Sequence, residues 1–561
     1  MKKALSVILA LSLIFSMFTF VSAAENGGLK ITVANDLHLN NYYSENVKKN
    51  NNTEDFSHVV SNGQLKNESL AVIKAFLEKA GTNDSELVLL PGDLTDTGSE
   101  AEHLAFSALL KEFESAYGKE VYVVPGNHDV LKISADKFAA YYNDFGYGEA
   151  LEKDTLSASY TADLDGEYRL LAIDSCKQAQ GAHGLTSERI DWIKAQGEKA
   201  KADGKKLIAM MHHNLLEHFI LGSTLHKGSV VNKDTNLADL FAQYGIKYTF
   251  TGHTHDNDIV SYTAADGTVI YDVVTSTLNA YPCPYREVVF GDEVKIETKR
   301  IDKIDLSILP EGISENALAL AESDFTEYTR QVIWTGLTIT FNNYTTASGL
   351  RSLLKLEDAE MNAIIDKAGS KLNEAINMPF MKADESEEGK SIEALVEKYS
   401  LTIPETDYKN MLDLAITFYQ AHCVGDQYIP AYSDEMVLLT RGLAAVISYT
   451  LEDVSAEEYA KILTFLTDLL GIDIPVDFLS YAGSSVKRFE GVEIFLTTAL
   501  IPVITEFSVD KAPADNNVTL PGYAELQENT EVSFLEKIIN FFKKIFDAFR
   551  TMVAFLPFFN K

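Results

Sequence analysis

A short apolar run followed by a carboxylate-rich turn occupies residues 87–96, which read LVLLPGDLTD. The four apolar positions predict a strand, and Pro91 and Gly92 would end it. Asp93 and Asp96 would then lie just beyond the carboxyl end of that strand. In a layered α/β domain this edge of the sheet is where ligands bind. The unit therefore predicts both a strand of a sheet and part of a functional site.

The same unit of an apolar run and a polar block recurs through the first half of the chain. The other runs occupy residues 29–33, 121–124, 207–211 and 248–250. Stretches with helical spacing lie between several of them, for example Asn67–Ala80 and Glu100–Tyr117. Strands that alternate with helices predict an α/β domain over residues 29–305, with the consecutive strands from about residue 259 added in antiparallel fashion.

The histidines indicate that this domain holds the functional site. Eleven of the twelve lie between His38 and His255, and the twelfth is His422. The polar blocks that follow the apolar runs are DLH at 36–38, GDLTD at 92–96, GNHD at 126–129, HH at 212–213 and GHTH at 252–255. Each block alone is a common turn or surface sequence. Five such blocks at five strand ends predict that they meet in one cleft.

The residue types in these blocks suit metal ions, since imidazole and carboxylate bind iron, manganese and zinc. Residues two apart in an extended chain, such as Asp36 with His38, point to the same side. The candidate ligands are Asp36, His38, Asp93, Asn127, His212, His253 and His255. A single zinc ion takes three or four protein ligands, so this larger set predicts two ions that share a bridging carboxylate. The identity of the metals, Fe, Mn or Zn, stays open.

In their order and spacing the blocks resemble the pattern of the calcineurin-like metallophosphoesterase superfamily. That pattern is Asp-x-His, Gly-Asp-x-x-Asp, Gly-Asn-His-Asp or -Glu, a lone His after a strand, and Gly-His-x-His. The resemblance extends over about residues 30–300. It implies a fold of two packed β-sheets flanked by helices, followed here by a mostly helical domain. It also implies a metal-dependent phosphoric ester hydrolase with a binuclear metal centre.

The resemblance assigns a role to each candidate residue. The implied ligands are Asp36, His38 and His255 for one metal, Asn127, His212 and His253 for the other, and Asp93 as the bridge. The lone His of the family is usually followed by one residue and then Pro. Here the run is His212-His213-Asn214, so His213 is the alternative ligand.

A mechanism for phosphate-ester hydrolysis is implied as well. Two cations would lower the pKa of a bridging water, and the resulting hydroxide would attack phosphorus in line. His128 would assist the leaving group, and Asp96 would orient His128 and favour its charged form. Bacterial relatives with these blocks resemble cyclic-nucleotide phosphodiesterases, which favours a phosphodiester substrate. The alternatives are a phosphomonoesterase or nucleotidase, and a non-catalytic, metal-containing envelope protein that binds a partner.

Composition limits the partners of the protein. The 561 residues include 48 Lys and Arg against 82 Asp and Glu, a formal net charge of −34 at pH 7. Nucleic-acid phosphates bind basic surfaces, so general nucleic-acid binding is not expected, and a small phosphate ester is the expected substrate. The three cysteines, Cys176, Cys283 and Cys423, are too few for a disulfide framework.

Other segments are predicted outside the α/β domain. Residues 1–24 have the basic start, apolar run and small-residue end of a signal peptide, with an uncleaved anchor as the alternative; we expect a secreted or envelope-associated protein. Residues 313–507 predict one helical domain with little strand-like alternation, of which Leu337–Phe341 is the main example, and polar residues 508–533 predict a linker. Residues 534–561 predict a basic amphipathic helix that contacts a membrane or envelope surface, self-associates or docks on the helical domain.

Overall fold

The computed structural model describes residues 28–40, 55–59, 62–177, 182–218, 228–231, 236–354, 358–382, 391–470 and 476–523. The predicted signal peptide, residues 1–24, and the predicted C-terminal helix, residues 534–561, lie outside the described residues. Two β-sheets with flanking helices form the described part up to residue 300, and helices predominate from residue 315 to 508. The predicted fold class is thereby confirmed.

The first sheet brings three of the polar blocks to one edge. Its strands are β1 (Lys30–Val33), β2 (Leu87–Leu90), β3 (Glu120–Val123), β13 (Pro284–Phe290), β14 (Glu293–Arg300) and β15 (Asn517–Pro521). They are ordered β15-β14-β13-β1-β2-β3. β1, β2 and β3 are parallel, with Thr32 opposite Val88 and Leu90 opposite Val123. The DLH, GDLTD and GNHD blocks therefore all leave the sheet at the same edge.

The second sheet does the same for the two remaining blocks. Its strands are β4 (Glu152–Lys153), β5 (Tyr160–Asp163), β6 (Tyr168–Ile173), β9 (Lys206–Met211), β10 (Tyr248–Thr251), β11 (Asp258–Thr263) and β12 (Val269–Val274). They are ordered β11-β12-β10-β9-β6-β5-β4, while β7 (Cys176–Lys177) and β8 (Ala182–His183) form a separate pair. β9 and β10 are parallel, with Ala209 opposite Thr249. The HH and GHTH blocks consequently follow neighbouring strand ends.

A shared hydrophobic core packs the two sheets together. Ile31, Leu89 and Val123 of the first sheet and Ile208 and Phe250 of the second are fully buried in one cluster. Full burial of such side chains stabilises the fold by about 1.5–3 kcal/mol each. The strands late in this region also pair as predicted, since β11 with β12 and β13 with β14 are antiparallel.

Helices α1 to α5 flank the sheets and α6 to α15 follow them. The first group is α1 (Ser69–Thr82), α2 (Glu100–Tyr117), α3 (Ala135–Tyr141), α4 (Ser187–Ala202) and α5 (Leu237–Gln243). The second is α6 (Glu315–Ser323), α7 (Phe325–Tyr344), α8 (Ala347–Leu354), α9 (Ala359–Ile376), α10 (Ile392–Glu397), α11 (Met411–Val424), α12 (Asp434–Thr450), α13 (Ala456–Leu470), α14 (Ser485–Phe495) and α15 (Ile501–Ser508). Leu337–Phe341, with its strand-like alternation, lies inside α7.

Local sequence explains where α2 begins and ends. Ser99 caps α2: its hydroxyl accepts the Glu102 N–H at 3.3 Å, and the Glu102 carboxylate accepts the Ser99 N–H at 3.2 Å. Gly118 ends the helix with φ 65°, a conformation that glycine adopts without strain.

The stretch Ser485–Ser508 is long and apolar enough to cross a membrane. Its side chains Phe489, Val492 and Phe495 are buried in a hydrophobic cluster of the helical region.

The structure differs from the predicted linker over residues 508–533. Asn517–Pro521 forms β15, which pairs antiparallel with β14 and places Leu520 opposite Val294. Leu520 is buried, and β15 covers the edge that β14 would otherwise expose. Five residues with two apolar side chains are too weak a pattern to predict a strand, because the pairing depends on a partner more than 200 residues earlier in the chain.

Candidate metal centre

Backbone hydrogen bonds hold the polar blocks against one another. The Asp36 N–H donates to the Gly92 carbonyl at 3.3 Å, and the His38 N–H donates to the Asp93 carbonyl at 2.9 Å. In the second sheet the Gly252 N–H donates to the His212 carbonyl at 2.9 Å. The blocks predicted to meet do meet, because each follows the end of a parallel strand.

Left-handed backbone is concentrated at the predicted ligands. Five of the seven have a positive φ, namely Asp36 (52°), His38 (43°), Asp93 (49°), His253 (71°) and His255 (62°). Few non-glycine residues adopt this region, which costs about 1–3 kcal/mol per residue and clusters at functional sites. The left-handed turns therefore indicate that, at this edge, the position of the side chains matters more than a low-energy backbone conformation.

One group of donor atoms contains Asp36, His38 and His255. Nε2 of His255 lies 3.3 Å from Oδ1 of Asp36 and 3.3 Å from Nε2 of His38. Nε2 of His38 is 3.8 Å from the same carboxylate oxygen. Two imidazole nitrogens and one carboxylate oxygen thus converge, which is a donor set that fits a transition-metal ion.

The second group contains Asn127, His212 and His253. Nε2 of His212 lies 3.0 Å from Oδ1 of Asn127 and 3.2 Å from Nδ1 of His253. Nδ1 of His212 is 3.1 Å from the Pro91 carbonyl, which fixes the orientation of the ring. All three predicted ligands of this group are therefore brought together.

His213 is the alternative to His212, and its ring lies close by. Nδ1 of His213 is 2.7 Å from the Ser175 hydroxyl, and its ring centroid is 4.4 Å from that of His253. His212 is the residue whose Nε2 approaches Asn127 and Asp93. This geometry favours His212 as the ligand.

Asp93 lies between the two groups. Its Oδ2 is 3.3 Å from Nε2 of His212 and 3.9 Å from Nε2 of His38, so one oxygen faces a histidine of each group. Its Oδ1 accepts the backbone N–H of His128 at 2.8 Å. This is the position that a bridging ligand would need.

Two glycines allow the carboxylates to sit this close to the backbone. A Cβ on Gly126 would lie 2.2 Å from Oδ1 of Asp93. A Cβ on Gly252 would lie 2.4 Å from Oδ2 of Asp36. The glycines of the GNHD and GHTH blocks are thus required by packing against the candidate ligands.

The electrostatics of the cluster suit cation binding. Burial acts to raise the pKa of Asp93, but His212 outweighs it and holds that pKa well below its usual range. Burial lowers the pKa of His38 and of His253 to about 3. Burial also acts to lower the pKa of the other two rings, but Asp93 raises that of His212 to about 9 and Asp36 raises that of His255, so on these two rings a metal ion would replace a proton. Ionised carboxylates and neutral imidazoles are the forms that bind metal ions. Among the described residues, the donor types and their convergence therefore fit two cations.

His128 lies beside the cluster, as predicted, but the contact with Asp96 differs from the prediction. Nδ1 of His128 is 2.5 Å from the backbone carbonyl oxygen of Asp96. The Asp96 carboxylate instead accepts from Nδ2 of Asn40 at 2.7 Å and lies 3.4 Å from Nζ of Lys66. The His128 ring packs edge-on against His38, with ring centroids 4.7 Å apart. Asp96 thus orients His128 through its main chain.

Asp129 is a supporting residue to which sequence reasoning gave no role. Its buried carboxylate accepts the backbone N–H groups of Leu94 at 3.1 Å, Thr95 at 2.9 Å and Gly126 at 2.9 Å, and the Thr95 hydroxyl at 2.8 Å. It therefore joins the GDLTD block to the GNHD block. The only feature of the sequence that could have indicated this role is the position of Asp129 as the last residue of the GNHD block.

Comparison with known proteins adds independent information. Residues 29–257 match the family model of the calcineurin-like phosphoesterases. A probable glycerophosphodiester phosphodiesterase, GpdQ of Arcobacter nitrofigilis, is 27% identical over 187 residues, which are 32% of this chain and 62% of that protein. The match thus spans less than two thirds of the relative's length.

Solved structures with a similar arrangement include two phosphatases. A dimetal phosphatase from Danio rerio has 10% identity and a TM-score of 0.39, over 50% of this chain and 98% of that chain. The purple acid phosphatase PPD1 of yellow lupin (Lupinus luteus) has 13% identity and a TM-score of 0.33, over 49% of this chain and 52% of that chain. The match over residues 29–257 contains all five polar blocks. Over that part of the chain the protein matches the calcineurin-like phosphoesterase family.

Proposed function

We propose that the protein is a two-metal phosphoesterase that prefers phosphodiesters. The observation that supports this most directly is the position of Asp93, whose Oδ2 faces His212 at 3.3 Å and His38 at 3.9 Å. One buried carboxylate oxygen between two groups of histidines is what a shared ligand of two cations requires. Asp36, His38 and His255 would hold one cation, and Asn127, His212 and His253 the other.

Two bound cations would supply Lewis-acid activation of water and neutralisation of charge on the phosphate oxygens. The chain itself supplies the arrangement of ligands and the groups around the substrate. Four of the ligands, Asp36, His38, Asp93 and His212, are buried and would separate the centre from solvent on the protein side, whereas Asn127, His253 and His255 are half-buried. Left-handed turns fix the direction of five of the seven. The reacting phosphate would approach from the side on which His128 is partly exposed.

His128 would hold the proton that the leaving oxygen needs. Its Nδ1 lies 2.5 Å from the Asp96 carbonyl, which can only accept a hydrogen bond, so Nδ1 carries a hydrogen. Nε2 is then the ring nitrogen available to the substrate. In the protonated imidazole both nitrogens donate, so Nδ1 keeps its bond to the Asp96 carbonyl while Nε2 carries the second hydrogen. Proton donation from Nε2 to the leaving alkoxide follows from this geometry.

The preference for a diester is proposed from the partial relative. GpdQ of Arcobacter nitrofigilis is described as a probable glycerophosphodiester phosphodiesterase. The net charge of −34 also favours small substrates over long polyanions. Export through residues 1–24, and contact of residues 534–561 with an envelope surface, belong to the same proposal. They would place the enzyme where it meets phosphate esters outside the cytoplasm.

Paired chromogenic substrates test the proposal. Metal-reconstituted protein would be assayed with bis-p-nitrophenyl phosphate and p-nitrophenyl phosphate, beside Asp93→Ala, His128→Ala and a control, Asp191→Ala. Asp191 is an exposed carboxylate on α4, and we expect wild-type activity from its variant. We expect diester cleavage in the wild type and its loss in the first two variants. A preference for the monoester would make the protein a phosphatase. No turnover of either substrate despite two bound metals would refute the proposed phosphoesterase activity.

A further inference from the structure

The GHTH block is followed by Asp256 and Asn257, two buried polar residues that contact the helical region. Asp256 and His422 are only 4% and 3% exposed. Nε2 of His422, on α11, lies 3.0 Å from Oδ1 of Asp256. His422 is the single histidine outside the segment from His38 to His255. A residue of the helical region thus contacts the residue directly after the predicted ligand His255.

The His422 ring is itself fixed from the other side. Nε2 of Gln427 lies 3.2 Å from Nδ1 of His422, and the ring packs against Phe507 with centroids 4.1 Å apart. These contacts leave Nε2 directed towards Asp256. The side chain is therefore held in one orientation by groups that belong to the helical region alone.

The next residue of the loop, Asn257, is also held from beyond residue 420. Its Nδ2 donates to Oδ1 of Asn516 at 3.2 Å and to the Val424 carbonyl at 3.4 Å. Gly425 approaches so closely that a Cβ there would lie 2.5 Å from the Asn257 carbonyl oxygen. Two consecutive residues after the block thus rest on α11 and on the segment before β15.

This support matters because the block itself has an unfavourable backbone. His253 and His255 have φ values of 71° and 62°. A non-glycine residue keeps such a conformation only where its surroundings impose it. The two histidines belong to different ligand groups, so a shift of this loop would disturb both predicted metal positions.

We propose that His422 is a positioning residue of the metal centre, which acts through Asp256 to hold the loop that presents His253 and His255. The helical region would then be part of the support of the site. The inference rests on the proposed two-metal function, since it concerns the affinity of that centre for its ions. Loss of an outer contact to a metal-binding residue commonly weakens metal affinity about 10–100-fold.

Metal binding to the full-length protein tests the inference separately from catalysis. Chelator-stripped wild type, His422→Phe, Asp256→Ala and the double variant would be titrated with Mn²⁺ by calorimetry. The spin-coupled Mn²⁺ pair would be followed by electron paramagnetic resonance, and unfolding by urea would be measured for each protein. His422→Phe keeps a ring against Phe507, whereas Asp256→Ala removes the same contact from the side of the loop.

Tyr328→Phe is the matched control. The Tyr328 hydroxyl is buried and donates to Oε1 of Glu68 at 2.5 Å, and it lies 3.1 Å from Nε2 of His58. This is another buried polar link between the helical region and the α/β region, made by residues outside the GHTH block. Its loss should destabilise the fold without changing the affinity for Mn²⁺.

We expect each single variant to bind at least one Mn²⁺ about tenfold more weakly and to lose the coupled signal at concentrations that saturate the wild type. The double variant should be no weaker than the weaker single variant. Wild-type affinity in a folded single variant, or an equal loss in Tyr328→Phe, would overturn the inference. If His422→Phe does not fold, Asp256→Ala decides by the same criteria. A wild type that binds no metal would refute the proposed function as well.

Discussion

Replacement of Asp129 should destabilise the site by an amount that depends on how many hydrogen bonds survive. In Asp129→Ala, three backbone N–H groups and the Thr95 hydroxyl lose their acceptor inside the protein. An unsatisfied buried donor costs about 1–3 kcal/mol. The Thr95 hydroxyl can rotate to another partner and water can reach part of the space. We therefore expect the free energy of unfolding to fall by about 3–5 kcal/mol.

Asp129→Asn separates hydrogen bonding from charge. The amide oxygen can face Leu94 and Gly126, which leaves the amide NH₂ towards Thr95. The Thr95 hydroxyl can then accept, but the Thr95 N–H faces another donor, so one bond is lost at a cost of about 1–3 kcal/mol. Urea unfolding of the metal-free proteins, with Asp191→Asn as control, measures both values. A fall of less than about 0.5 kcal/mol in Asp129→Ala, the range of ordinary surface substitutions, would refute the reasoning.

Three further predictions follow from the same geometry. Gly126→Ala places a Cβ against Asp93 and should lower activity about 100-fold, as a displacement of about 1 Å can do, whereas Gly166→Ala, with nothing within 4 Å, should match wild type. Burial lowers the pKa of His218, but Asp258 and Asp272 raise it to about 10 from 6.5, so its stabilising contribution is complete below pH 6.5 and is lost as pH rises towards 10. Urea unfolding between pH 6 and pH 10 would show this loss in wild type and a flatter profile in His218→Gln. Deletion of residues 534–561 should abolish co-sedimentation with anionic liposomes, and unchanged binding would contradict membrane contact.

The part of the fold that the sequence predicts well is the part governed by local patterns. The predicted strand at Leu87–Leu90 has the same bounds in the structure, because four apolar residues are followed at once by Pro91 and Gly92. The meeting of the polar blocks follows from a general rule, since the ends of parallel strands share an edge. Residue type and strand position together were therefore sufficient to predict which side chains would converge.

Each feature that the sequence does not reveal depends on a distant partner or on a main-chain atom. β15 pairs with β14 across more than 200 residues, and Leu337–Phe341 is helical because Ile333 and Leu337 pack against Leu412 and Ile416 of α11. The acceptor for His128 is the carbonyl oxygen of Asp96, which every residue type possesses, so the sequence has no signal for it. From the sequence, the Asp96 carboxylate is the expected hydrogen-bond acceptor for His128. In the structure, the conformation of the loop presents the Asp96 carbonyl oxygen to His128 instead.

The backbone of the metal centre explains why its supports come from so much of the chain. Five left-handed ligands at about 1–3 kcal/mol each are a considerable cost beside the 5–15 kcal/mol that stabilises a typical domain. The cost is tolerable only if many contacts impose the same conformation. Asp129 links two blocks, Gly126 and Gly252 make room for carboxylates, and Asp256 rests on α11. The last contact crosses from the α/β region to the helical region. On this argument the ligand geometry would depend on the helices from residue 315 onwards as well, and a destabilised helical region would be detected first as weaker metal binding.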